Sequence, residues 1–279
     1  MTYSPPPTAL AALAALSTTL LCTSTAWAGA WSQPSGKCYA KVWQRTLVGS
    51  NAFGIGDEPG FATEPYQVFS LSHYAECGVA DGWTLLTTGT PIGYGAHADE
   101  DTLFSGLLAI GARRGFFDGP FRVGVELEYG YQGLTGDVEL APTQTYSFRP
   151  VVASHTGRAT ASVGYGASNW WVTGDLGVRL FSNPELDTSL VGTAQIGWKP
   201  LEPLVLDLHL PYNITLAPLT ENNVSGAGNT DYVGLGLGAS WWFTPAFGAN
   251  LGFDAVVFAE ANASTPSITV GVEWRPELW

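Results

Sequence analysis

The feature that most constrains this chain is alternation. From about Gly36 to Pro276, segments of roughly ten to fourteen residues recur in which every second side chain is apolar. The clearest runs from Phe121 to Tyr131: one face reads Phe, Val, Val, Leu, Tyr, Tyr, and the other Arg, Gly, Glu, Glu, Gly. Successive strand side chains point to opposite faces, so each segment is a ribbon with one apolar and one polar side. Closing such ribbons into a cylinder pairs every backbone group and leaves no open edge, which is how β-structure crosses lipid. The expected fold class is therefore all-β: a closed antiparallel transmembrane β-barrel of about twelve strands.

Composition agrees. Charged residues are 13% of the 279 positions, about half the usual share for a soluble domain, and Gly is abundant at 34. Beyond the N-terminus, no apolar run reaches the length a membrane helix needs.

The first 28 residues read as a signal peptide. Ala9 to Leu21 is an apolar stretch, and Ala26-Trp27-Ala28 is a small-x-small cleavage site, although no Lys or Arg precedes it. Residues 29–36 are then a short periplasmic segment, and 37–279 the barrel. A poor lipobox before Cys22 argues against a lipid anchor. That leaves Cys38 and Cys77, which alternation puts on the lipid-facing sides of adjacent strands. If the loop between them turns near Asp57, they are cross-strand neighbours and candidates for a disulfide, the alternative being two small apolar residues facing lipid.

Twelve strands are expected near 37–47, 66–77, 83–94, 102–113, 121–132, 157–167, 170–181, 188–199, 203–213, 231–243, 247–259 and 266–275. Short and mostly longer connections alternate between them, as in barrels with short periplasmic turns and longer extracellular loops. An even count puts both termini on the short-turn side. Trp83, Trp170, Trp171, Trp198, Trp241, Trp242 and Trp274 fall near short turns and suggest an interfacial girdle. The last strand and terminal Trp279 resemble the C-terminal signal of bacterial barrels, extended by Pro276-Glu277-Leu278.

The formal charge of −13 is segregated. Lys37, Lys41, Arg45, Arg113, Arg122, Arg158, Arg179, Lys199 and Arg275 fall at inward positions. So do Glu76, Glu126, Glu128, Asp175, Asp207, Asp254, Glu260 and Glu273, with His209 beside them. Surplus acid lies in connections, such as Asp99, Glu100 and Asp101. Inward charges either pair and fill the barrel or line a watery passage. Inward glycines and serines, including Gly124, Gly130, Ser162, Gly164, Gly177 and Gly252, leave room and favour a narrow lumen.

No catalytic constellation emerges. Ser72 and His73 are adjacent and point to opposite faces, so they cannot couple without a bulge. His97, followed by Asp99-Glu100-Asp101, reads as a solvated loop rather than a metal site. Asp207 and His209 share a face, where His209 is either a hydrogen-bonded structural group or a proton-sensitive one. No enzyme activity, cofactor or metal is expected. The loop from Gly133 to Thr156 is unusually apolar. It either folds into the mouth as a gate or extends the strands above the membrane, and the second is the expectation.

The stretch from Tyr74 through Glu76-Cys77-Gly78 and Asp81-Gly82 to Trp83-Thr84-Leu85 is similar to a turn in small outer-membrane transporter-like barrels. These include the family linked to meta-pathway phenol degradation, a distant relative of fatty-acid-transporter barrels. That resemblance implies passive uptake of small, hydrophobic solutes. The expected role is a bacterial outer-membrane channel or transporter for small solutes. The alternative is a non-enzymatic anchor for an envelope machine, such as one for gliding motility or polysaccharide export. Partners would be outer-membrane lipid and lipopolysaccharide, with small solutes or envelope-machine proteins, and no nucleic acid.

Overall fold

A computed structural model describes residues 30–56, 60–117, 119–141, 143 and 145–276. The candidate signal peptide, Asp57 and the chain's last three residues lie outside them. The strands are β1 (Cys38–Phe53), β2 (Phe61–Ala80), β3 (Trp83–His97), β4 (Glu100–Phe104), β5 (Leu107–Phe116), β6 (Phe121–Gln132) and β7 (Ser154–Gly166). They continue with β8 (Trp170–Phe181), β9 (Ser189–Leu201), β10 (Leu204–Thr215), β11 (Asp231–Trp242), β12 (Phe247–Glu260), β13 (Asn262–Ala263) and β14 (Ser267–Trp274). Each barrel strand pairs antiparallel with its sequence neighbours, and β1 closes the cylinder by pairing with both β2 and β14. Short β4 and β13 extend the ladders of β3 and β1, so the closed barrel has twelve strands.

The strand expected at 102–113 is interrupted. β4 and β5 pair with β3 in one register, broken at Ser105–Gly106 opposite Thr90–Pro91. Pro91 has no amide proton to give the ladder. Gly106 N donates to Thr90 O at 2.9 Å, and the β2–β3 register shifts close by, between Leu71 and His73. The stretch expected as a loop at 95–101 is mostly paired, turning tightly at Ala98-Asp99.

Leu85, Ile110, Leu127, Leu176, Leu237 and Leu251 stand exposed on the outer surface. A continuous apolar belt of this kind is what a barrel in lipid presents. The girdle needs correction: Trp83, Trp170, Trp198, Trp241 and Trp274 face outward, but Trp171 and Trp242 point inward and are buried. In each Trp-Trp pair, strand alternation lets only one ring face out.

The buried apolar side chains gather at the two ends. At the short-turn end Tyr39, Trp171, Val205 and Trp242 pack together. At the long-loop end the cluster contains Tyr66, Leu140, Tyr146, Phe148 and Val224. The 133–153 segment therefore does not extend the strands, contrary to expectation. It folds over the mouth, because Phe148, Val151 and Val152 find apolar cover there that water would deny them. Ser147 ties it to the 216–230 loop through backbone bonds with Asn222 and Val224.

Candidate functional site

The sequence-derived residues converge on the barrel interior, with Lys37 and Arg275 just beyond the strand ends. Glu260, expected inside, is the exception: the bulge between Val256 and Phe258 puts it on the outward parity of exposed Phe258, where it accepts from Gly56 N at 3.0 Å. Alternation from buried Glu76, Arg113, Glu126 and Glu273 sets the inward parity of the others within strands. Cys38 and Cys77 lie directly opposite one another at 4.2 Å between Cα atoms and form a disulfide. The neighbouring pair, Tyr39 and Glu76, points the other way, so the disulfide sits on the outer face.

One wall of the lumen carries a ladder of paired charges. Arg113 Nη1 lies 2.9 Å from Glu76 Oε2, and its Nη2 lies 2.6 Å from Glu126 Oε2. Arg158 then bridges Glu126 Oε1, at 2.9 Å from Nη2, and Glu128. Tyr74, which sequence reasoning missed, donates from its hydroxyl to Glu76 Oε2 at 2.6 Å and accepts from Arg113 Nη2 at 3.1 Å. Arg179 stands directly across from Arg158. Asp175 Oδ1 accepts from Thr193 N at 3.0 Å. Glu273 accepts from Ser240 Oγ at 2.9 Å and sits 3.9 Å from Lys41 Nζ. Buried charges persist only when partnered in this way.

The short-turn mouth is occupied by the chain's own N-terminal segment, residues 30–36. Gln33 N donates to Thr84 Oγ1 at 2.8 Å, and Gln33 Nε2 to Glu76 Oε1 at 2.5 Å. Arg113 Nη1 donates to Trp31 O at 3.1 Å. Some inward glycines that left room for a lumen are filled by this segment. A Cβ on Gly164 would come within 2.6 Å of the Trp31 ring, and one on Gly115 within 2.7 Å of Ser32 Oγ. The inward glycines on β6 and β7 were the sequence signal for a docked segment; Gly115, expected in a turn, adds to them on β5. Around it opens a cavity of about 800 Å³ lined by Trp31, Gln33, Arg122, Trp171 and Lys199. The Arg275 guanidinium covers the Trp242 ring at 3.5 Å.

Across the lumen His209 is held between two carboxylates, Nδ1 2.8 Å from Asp207 Oδ1 and Nε2 2.8 Å from Asp254 Oδ1. Gln195 Nε2 also donates to Asp207, at 3.1 Å. Above them is a second cavity of about 400 Å³. Trp43 and Arg45 on β1 face it, and Ser225 and Gly226 from the 216–230 loop and Asn262 on β13 roof it.

The cap buries His97 completely, which corrects its assignment to a solvated loop. Its ring stacks on Phe148, and Nε2 lies 3.3 Å from the Tyr146 hydroxyl. His97 ends the β3–β4 hairpin above the belt, and burial holds its imidazole below the ordinary value. Arg149, in the cap, reaches Glu185 at 2.8 Å and Glu221 at 3.5 Å. Ser72 lies inside and His73 outside, against Thr87, so the two do not couple.

No family model and no curated protein sequence matches the chain. Solved structures do. An outer-membrane channel of Pseudomonas putida F1 superposes with a TM-score of 0.64 at 11% identity, covering 91% of this chain and all of that one. The chain has an outer-membrane barrel fold. The NanC porin matches at 0.55 with 6% identity, and the KdgM porin at 0.50 with 9%; each comparison covers 84% of this chain and 98% of the other. At these identities the likeness is one of fold.

Proposed function

We propose that this chain is a non-enzymatic channel of the bacterial outer membrane that lets small solutes cross passively. The observation that carries the proposal is the combination of a charged, partly hollow lumen with ends closed by loop and terminal segments. A barrel built only to be solid would fill its middle with side chains. Here a cavity walled by both charged and apolar side chains lies under a cap that is not part of the barrel wall. Solved barrels of the same fold are named as a channel and as porins. The likeness of the 74–85 turn to transporter-like barrels of the phenol-degradation family also supports uptake of small solutes. In this reading the apolar belt meets outer-membrane lipid and lipopolysaccharide, and the first 28 residues are removed on export.

A second reading, an anchor for an envelope machine, draws on the paired charges of Glu76, Arg113, Glu126 and Arg158. Planar-bilayer recording of the purified mature protein separates the two. A channel gives reproducible unitary currents. Silence across a range of voltage and salt refutes it and leaves the anchor.

A further inference from the structure

Arg45 is unlike Arg113 and Arg158. Arg113 and Arg158 are each locked to two carboxylates. Among the described residues no carboxylate lies within ion-pair distance of the Arg45 guanidinium; its Nε donates to Ser267 Oγ at 3.0 Å. Arg45 faces the 400 Å³ cavity and is exposed to it. An unpaired guanidinium in a walled cavity is a ready anion fork, because its planar donors match both oxygens of a carboxylate.

The rest of the cavity restricts that anion. Trp43 and Leu47 flank Arg45 at the neighbouring inward positions of β1, and Val68, Pro211 and Val256 add apolar wall. The volume lies in the range of small-ligand pockets, about 300–1,000 Å³. Asp254, on β12 across β14 from β1, and the His209 imidazole line the same cavity, and His209 also holds Asp207 just outside it. Even with that imidazole protonated the trio keeps a net negative charge, which disfavours a second anionic group. We infer that this cavity binds small amphipathic monocarboxylates, the carboxylate on Arg45 and the ring or hydrocarbon body against Trp43 and its apolar neighbours. The inference rests on the channel proposal for its physiological meaning but not for its chemistry.

Titration calorimetry of the full mature protein in non-ionic detergent tests it, with benzoate as the probe. Wild type binds benzoate saturably with about one site per chain. Arg45→Gln weakens binding at least tenfold, whereas Arg122→Gln, at the other mouth, leaves it unchanged. Acetate, lacking a body, and isophthalate, carrying a second carboxylate, each bind at least tenfold more weakly than benzoate, and benzylamine does not compete. Unchanged heat-dependent gel migration shows that each variant is folded. No saturable binding by folded wild type overturns the inference, as does equal binding by folded Arg45→Gln. Bilayer recording is read separately: a silent protein that binds benzoate refutes only the channel, and a conducting one that does not refutes only the site.

Discussion

The Phe148 ring lies flat on the His97 imidazole, with centroids 5.0 Å apart and planes 4° from parallel. Phe148 comes from the long loop and His97 from the tip of β3, so this contact joins the cap to the barrel, beside those of Tyr146 with His97 and of Phe148 with Tyr66. Phe148 is fully buried, and truncating such a ring costs about 3–5 kcal/mol where the surroundings cannot collapse. The strand ladder holds the cylinder independently, so the loss falls on the cap. Phe148→Ala should therefore raise mean conductance in planar bilayers while leaving heat-dependent gel migration of the barrel unchanged. Equal conductance in mutant and wild type would show that the cap does not limit the path.

The same contact makes closure sensitive to acid. Burial is the main force keeping the His97 imidazole below its ordinary value of 6.5; the Leu140 backbone and the charges of Glu64 and Glu100 pull the other way. A folded value below the free one means the open cap binds protons more readily than the closed cap. The imidazole's contribution to closure is thus fully present above pH 6.5 and is lost as pH falls below it. Open probability should rise between about pH 7 and 5, and His97→Gln should flatten that rise. A wild-type profile indifferent to pH would count against the cap as the gate.

At the other mouth the N-terminal segment fits because β7 carries glycine. A valine at 164 would drive its Cβ into Trp31, 2.6 Å from the ring carbon. Gly164→Val should expel residues 30–36 from the lumen and free Gln33 from Glu76. Protease cleavage near Trp31 should become faster in folded protein, and unitary conductance larger. An unchanged cleavage rate would mean that the segment is not held where Gly164 admits it.

Strand positions and most of the parity were readable because they follow from a period of two, which failed only past a bulge, at Glu260; the approach of Cys38 and Cys77 needed in addition the expectation of a turn near Asp57. The inward turn of Trp171 and Trp242 was readable by the same rule, since adjacent Trp residues cannot share a face. The caps were not. Whether Phe148 covers the mouth or stands clear depends on what Tyr66 and His97, distant in sequence, present to it. Nor could alternation separate Arg45 from Arg113. Both are inward arginines, and which one meets a carboxylate is decided by how neighbouring strands are staggered around the cylinder. The docked N-terminus left a trace only in inward glycines that looked like empty space.

Arg113 makes the strongest stability claim. It is 3% exposed and satisfies Glu76 and Glu126 together, with Tyr74 and the Trp31 carbonyl completing its shell. Removing it leaves two carboxylates facing each other in a dry part of the lumen. Breaking a buried ion pair from one side costs about 3–5 kcal/mol. Arg113→Leu should lower the urea midpoint of refolded protein by an amount in that range. Adding Glu126→Gln and Glu76→Gln to Arg113→Leu should recover part of the loss, because the cost lies mainly in stranded charge rather than in a missing attraction. A triple variant no more stable than Arg113→Leu would place that cost in packing instead. The triple variant should also let the N-terminal segment loosen, since Gln33 and Trp31 lose charged partners in Glu76 and Arg113.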